Sequence, residues 1–158
     1  MVRGGRSPEE EVFDGDDSLL IHHAWGLNGA ITEVTLRTVP TQDWVGCIAG
    51  FKTYEDAYRA GYALACAEDE KINRKLCSVV DARIAGYFKR LEGQLPREED
   101  LLVTLVPRDH LGALTDLINA HGGTLHLAMG EPERIAANVP HVFEFSYNHT
   151  TRQVLKTD

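Results

Sequence analysis

From Trp44 onward the apolar residues come in short runs separated by stretches with helical spacing. Trp44 to Phe51 (WVGCIAGF) is an apolar run of strand length. Thr53 is placed to cap a helix, with Glu55 and Asp56 near the positive end of its dipole. Ala57, Ala60, Gly61, Leu64 and Ala65 then recur at helical spacing, and such a small-residue face lets a helix lie close to a sheet. Leu76 to Val80 reads as a second strand, Ala82 to Leu91 as a short helix, and Glu92 to Glu99, with Pro96, as a loop. Leu101 to Val106 (LLVTLV) is a third strand. Pro107 opens a helix from about Arg108 to His121, with Leu111, Leu114, Leu117 and Ile118 along one side and Gly122 and Gly123 as its stop. Thr124 to Ala128 is a fourth strand. Strand–helix–strand therefore occurs twice, at 44–80 and 101–128. The spacing predicts an α+β fold: a ferredoxin-like β-α-β repeat, with one antiparallel sheet and helices on one face. In the tail, Pro132 near its start and Pro140 after its end frame one more helix. Val142 to Tyr147 alternates as a strand does, and His149 to Lys156 begins another helix.

Before Trp44 the pattern is different. Residues 1–17 read as a mobile acidic arm carrying Glu9, Glu10, Glu11, Asp14, Asp16 and Asp17. Ser18 to Ile21 is a candidate short strand. Gly26-Leu27-Asn28-Gly29 reads as a turn, because two glycines three apart permit positive φ and close backbone approach. Ala30 to Val39 (AITEVTLRTV) is rich in β-branched residues and is expected to be a strand. On it Val34, Leu36 and Thr32 share one face, opposite Glu33, Thr35 and Arg37. Pro40 ends the run. The expected division is therefore 1–17, 18–40 and 41–158.

Composition narrows the function classes. The chain has 158 residues, 43% of them hydrophobic and 25% charged, with a net charge of -8. No basic face is available for nucleic acid, since the cluster Lys71 to Lys75 directly follows Glu68, Asp69 and Glu70. No apolar run reaches the length of a membrane span, and the first residues lack a signal-peptide core, so a cytoplasmic protein is expected. Cys47, Cys66 and Cys77 are odd in number and without a CxxC, which favours reduced thiols in the core over a disulfide framework. The seven histidines show no HExxH or zinc-finger spacing, so no metal site is expected. His22 and His23, adjacent on a strand, would point to opposite faces. No GxSxG elbow is present. Tyr54, Tyr58 and Tyr62 fall at i, i+4 and i+8, a stripe expected to pack on a neighbour, with covering a substrate or facing a second subunit as the other readings.

Two stretches carry a family resemblance. His22-His23-Ala24-Trp25-Gly26-Leu27-Asn28-Gly29-Ala30-Ile31-Thr32-Glu33-Val34-Thr35-Leu36 resembles the last turn and strand of the FAD-binding domain of FAD-linked oxidases, the vanillyl-alcohol-oxidase type, in the glycolate oxidase/D-lactate dehydrogenase branch. Phe145-Ser146-Tyr147-Asn148-His149-Thr150-Thr151 is similar to an aromatic-Asn-His-Thr-Thr segment in some caps of that family. The resemblance implies that 18–40 is the C-terminal piece of an FAD-binding domain and 41–158 part of a ferredoxin-like cap. It implies FAD contacts through the backbones of Gly26, Asn28, Gly29 and Ile31, with Asn148 and His149 on the substrate side. The implied activity is hydride transfer from an alcohol or 2-hydroxy acid to flavin. The glycine-rich pyrophosphate loop and the metal-binding end of the cap have no counterpart in this sequence. The expectation is thus a fragment, a truncated reading frame or one subunit of a split enzyme, inactive alone, with a complementary chain or a homo-oligomer as partner. The other reading is a non-catalytic ferredoxin-like module that binds a small ligand or a partner.

Overall fold

The computed structural model describes residues 2–3, 9–21, 26–27, 29–38 and 40–155, with backbone alone at residues 2, 3, 9, 10, 20, 148, 152 and 153. Contacts divide the chain into two compact units, Met1–Pro40 and Thr41–Asp158.

In the first unit β1 (Val2–Arg3) pairs antiparallel with β2 (Glu9–Glu10), so the acidic arm carries a short ladder. Two strand expectations fail here. Ser18 to Ile21 is not a strand; Gly15–Leu20 forms a 3-10 helix. The Asp14 carboxylate accepts from the Gly15 N–H at 2.8 Å, and the Ser18 hydroxyl donates to the Gly15 carbonyl at 2.7 Å. These local polar contacts favour a tight helical turn over a short apolar run. Ala30 to Val39 is also not a strand. Ala30 makes a single bridge, residues 31–38 belong to no helix or strand, and Val39 lies outside the described residues. Strand propensity is realised against cross-strand neighbours, and this run has none along 31–38 among the described residues.

The second unit is ferredoxin-like. β3 (Trp44–Phe51), β4 (Leu76–Val80), β5 (Asp100–Pro107) and β6 (Thr124–Gly130) form one sheet in the order β4-β5-β3-β6. Every neighbouring pair is antiparallel, with Val45 opposite Val106, Ile48 opposite Leu127 and Leu76 opposite Leu105. This is the order two interleaved β-α-β crossovers produce. The crossover helices are α1 (Tyr54–Ala65) and, after α2 (Asp69–Ile72) and α3 (Ala82–Ala85), α4 (Leu111–Ala120). The Thr53 hydroxyl caps α1 by accepting from the Asp56 N–H at 3.2 Å. The tail adds α5 (Glu131–Ala136) and α6 (Asn148–Leu155).

One sheet face packs on the crossover helices. Val45, Cys47, Ala49 and Phe51 of β3 and Leu102 and Val106 of β5 meet Ala57, Ala60 and Leu64 of α1 and Leu114 and Ile118 of α4. The opposite face is also covered. Ile48, Leu101, Val103 and Leu127 lie under Phe88, Leu91, Val139, Val142 and Phe145. Burial on both faces explains why β3 and β5 read as near-continuous apolar runs.

The covering segments are where the sequence reading was least accurate. Helix 82–91 breaks at Gly86 into α3 and a 3-10 turn at Lys89–Leu91. Val142–Phe145 is a 3-10 helix rather than a strand. Val142 and Phe145, three apart, both point inward, and the His141 ring caps the turn by accepting from the Phe143 N–H at 3.3 Å. Among the described residues no helix is long and apolar enough to cross a membrane.

Candidate functional site

Gly26 and Leu27 form an exposed turn in the first unit. Gly26 has φ +78°, a conformation that L side chains rarely adopt, and a side chain built on it would meet nothing within 4 Å. Glycine is therefore required here by backbone conformation and not by crowding, and the space beside the backbone is open to a ligand. Gly29 also has positive φ, at 138°. Ile31 follows, 56% exposed. Asn28, His22 and His23 lie outside the described residues. Of the described residues here, Gly26 and Leu27 are exposed and Gly29 is half-buried. They supply no charged group for a pyrophosphate.

In the second unit the similar segment is anchored by Phe145 and Ser146, both buried. The Ser146 hydroxyl donates to the Phe143 carbonyl at 3.2 Å. Tyr147 follows at φ +50°, an uncommon conformation for a non-glycine residue and one that concentrates at functional sites. Asn148 then opens α6, and the His149 N–H donates to the Ser146 carbonyl at 3.1 Å. His149 is half-buried. The left-handed residue turns the chain sharply from the covering layer into α6, and so sets where Asn148 and His149 begin.

Sequence reasoning missed a second arrangement. Ile48 pairs with Leu127 but Ala49 with Leu125, which leaves His126 as the extra residue of a β-bulge. The bulge brings its ring to Glu99, just before β5, with Nε2 2.7 Å from Oε2. Opposite an ionised carboxylate, which only accepts, the Nε2 tautomer is the one that donates. The pair lies directly over Gly50, where any Cβ would strike the Glu99 carboxylate and the His126 ring. Such a dyad can hold or pass on a proton. The two residues are 27 apart in sequence and meet only through the bulge, so no motif announced them.

Two cavities lie in the second unit among the described residues, one small and one shallow. A slot of about 20 Å³ lies among Trp44, Leu127, Met129, Arg134, His141 and Val142. That is room for a single water and not for an isoalloxazine ring. An open hollow of about 440 Å³ is lined by Gln42, Asp43, Pro107, Arg108 and Asp109. Arg108 is already engaged there, its guanidinium donating to Asp43 and, at 2.9 Å, to Glu133.

The thiols differ from one another. Burial pushes the Cys47 thiol up to about 12, so it is inert. Burial also raises Cys77, which Arg74 partly offsets, and its Sγ donates to the Gly61 carbonyl at 3.2 Å. Cys66 is exposed at the C-terminal cap of α1, against the expectation of a core position. The tyrosine stripe is likewise not packed: Tyr54, Tyr58 and Tyr62 are all exposed, and Tyr58 and Tyr62 stack on each other. The buried face of α1 is the alanine face, which places the tyrosines outward. Among the described residues no group of three or more His, Cys, Asp or Glu gathers as a metal site. No protein-family model matches the chain, and no curated protein matches it.

Proposed function

We propose that this chain is part of an FAD-dependent oxidoreductase of the FAD-linked oxidase type, carrying the adenine-side edge of the flavin site and part of the cap. The observation that carries the reading is the turn at Gly26, left-handed and open beside its backbone, within the sequence that resembles the family's closing FAD segment. The ferredoxin-like second unit suits a cap, and Tyr147 introduces the Asn148–His149 pair at the segment similar to the family's cap motif.

On this reading Gly26, Asn28, Gly29 and Ile31 hold the adenosine end through main-chain groups. Asn148 and His149 face the substrate, an alcohol or 2-hydroxy acid. FAD, when bound, supplies the hydride acceptor; the protein binds, orients and excludes water. Residues of a complementary chain cradle the pyrophosphate and complete the site. The site of action is the cytoplasm.

Equilibrium dialysis against FAD, ADP and riboflavin tests this. The chain is expected to concentrate FAD and ADP, which share the adenine nucleotide, and to leave riboflavin evenly distributed. Even distribution of all three overturns the reading. The alternative, a partner-binding ferredoxin-like module, is favoured by the exposed Tyr54, Tyr58 and Tyr62 on α1. It predicts no nucleotide uptake.

A further inference from the structure

Residues 31–38 are a strand-grade sequence without a strand. All eight positions are exposed, and the apolar ones are strongly so: Ile31 56%, Val34 59% and Leu36 76%. Among the described residues no backbone hydrogen bond joins 31–38 to another segment, and an exposed run of this composition is a template for edge-to-edge association. The residue order identifies which chain fits. If two copies of the segment run antiparallel about a two-fold axis through Thr35, each pair of facing residues sums to 70. Glu33 then faces Arg37 of the second copy, and Arg37 faces its Glu33. Val34 faces Leu36 twice, Thr32 faces Thr38 twice, and Thr35 faces itself.

Each of these facing pairs is favourable. Opposite charges, threonine pairs and aliphatic pairs placed directly across an antiparallel ladder stabilise it. The even-numbered residues put both Val34–Leu36 pairs on one face, and the odd-numbered residues put both ion pairs on the other. Shifting the register by one residue mixes the faces and separates the charges, so the sequence also specifies the alignment. Among the described residues neither Glu33 nor Arg37 is held in an ion pair within its own chain.

We propose that two copies of this chain associate through antiparallel pairing of residues 32–38, centred on Thr35, as an isologous dimer with reciprocal Glu33–Arg37 ion pairs. The turn at Gly26 lies outside the paired segment. The proposal does not depend on flavin binding.

Charge exchange in the full chain tests it by sedimentation velocity over a concentration series. The wild-type chain is expected to dimerise as concentration rises. E33R sets like charges opposite one another at both sites, as does R37E, and each should raise the dimer dissociation constant roughly tenfold or more. An equimolar mixture of E33R and R37E should restore dimerisation as a heterodimer, because each chain then meets opposite charges. The double variant E33R/R37E should dimerise like wild type. A wild-type chain that stays monomeric overturns the proposal. So do single variants that dimerise as well as wild type, or a mixture that associates no better than its components, which would show a different surface or a different partner. Circular dichroism of each variant, matched to wild type, shows that lost association is not lost folding.

Discussion

Replacing Phe145 by alanine removes one of the two phenylalanines that seal the sheet face away from the crossover helices. Phe145 is 1% exposed, and its ring lies 4.8 Å from that of Phe88 at an interplanar angle of 50°. Truncating a buried phenylalanine costs about 3–5 kcal/mol from lost transfer energy and the cavity left behind. Of this about 0.5–1.5 kcal/mol belongs to the aromatic pair itself. A chain of this size loses roughly 6–20 °C in Tm for such a change. Urea unfolding followed by Trp44 fluorescence in a Trp25→Phe background reads the second unit directly. Phe143→Ala is the control, since Phe143 sits in the same 3-10 turn but is 39% exposed; it should cost under about 1 kcal/mol. The cycle of Phe88→Ala, Phe145→Ala and the double variant should show a coupling of about 0.5–1.5 kcal/mol. If Phe145→Ala unfolds at the control's urea concentration, or the two changes simply add, the covering layer does not seal the sheet as described.

Three further outcomes follow from the packing and the titrating groups. Gly123→Ala drives a methyl into the Phe51 ring and should destabilise by about 1–3 kcal/mol, whereas Gly112→Ala, with open space on α4, should stabilise by up to about 1 kcal/mol; equal urea midpoints would contradict both. Native-state labelling with a thiol reagent should modify Cys66 first and Cys77 more slowly, with Cys47 reached only on unfolding; fast native labelling of Cys47 would contradict its burial. Burial, then the nearby charge of Arg134, lowers the His141 pKa below 6.5, against the opposing pull of Glu131 and Glu144. The folded chain therefore binds that proton less readily than the unfolded one. The contribution of His141 to stability is complete above pH 6.5 and is lost as pH falls through the lower folded value. His141→Asn, which keeps a cap acceptor, should flatten the fall in stability between pH 7 and pH 5, and an unchanged slope would refute this.

The sheet was legible because its strands are buried on both faces and so carry uninterrupted apolar runs from Trp44 and from Leu101. Helix α1 was legible because Thr53 and the alanine spacing act locally. Segments whose conformation depends on distant partners were not. Val142 to Tyr147 looks alternating, yet the contact of Phe145 with Phe88 and the cap from His141 select a 3-10 turn. Ala30 to Val39 has the composition of a strand but lacks a neighbour along 31–38 among the described residues. The tyrosine stripe has helical spacing, which shows that the residues share a face but not whether that face is covered. Of the candidate site, the glycine turn could be read from spacing alone. The Glu99–His126 dyad could not, because a bulge has no simple sequence signal. The positive φ of Tyr147 was hidden for a similar reason, since tyrosine does not advertise a left-handed turn.

The most direct measurement is residue-resolved amide chemical shifts of the full chain during addition of FAD to millimolar concentration, with riboflavin as the comparison. The account predicts shifts concentrated at Gly26, Asn28, Gly29 and Ile31 with FAD and none there with riboflavin. Unmoved amides throughout 26–31, or equal shifts with both compounds, would contradict it.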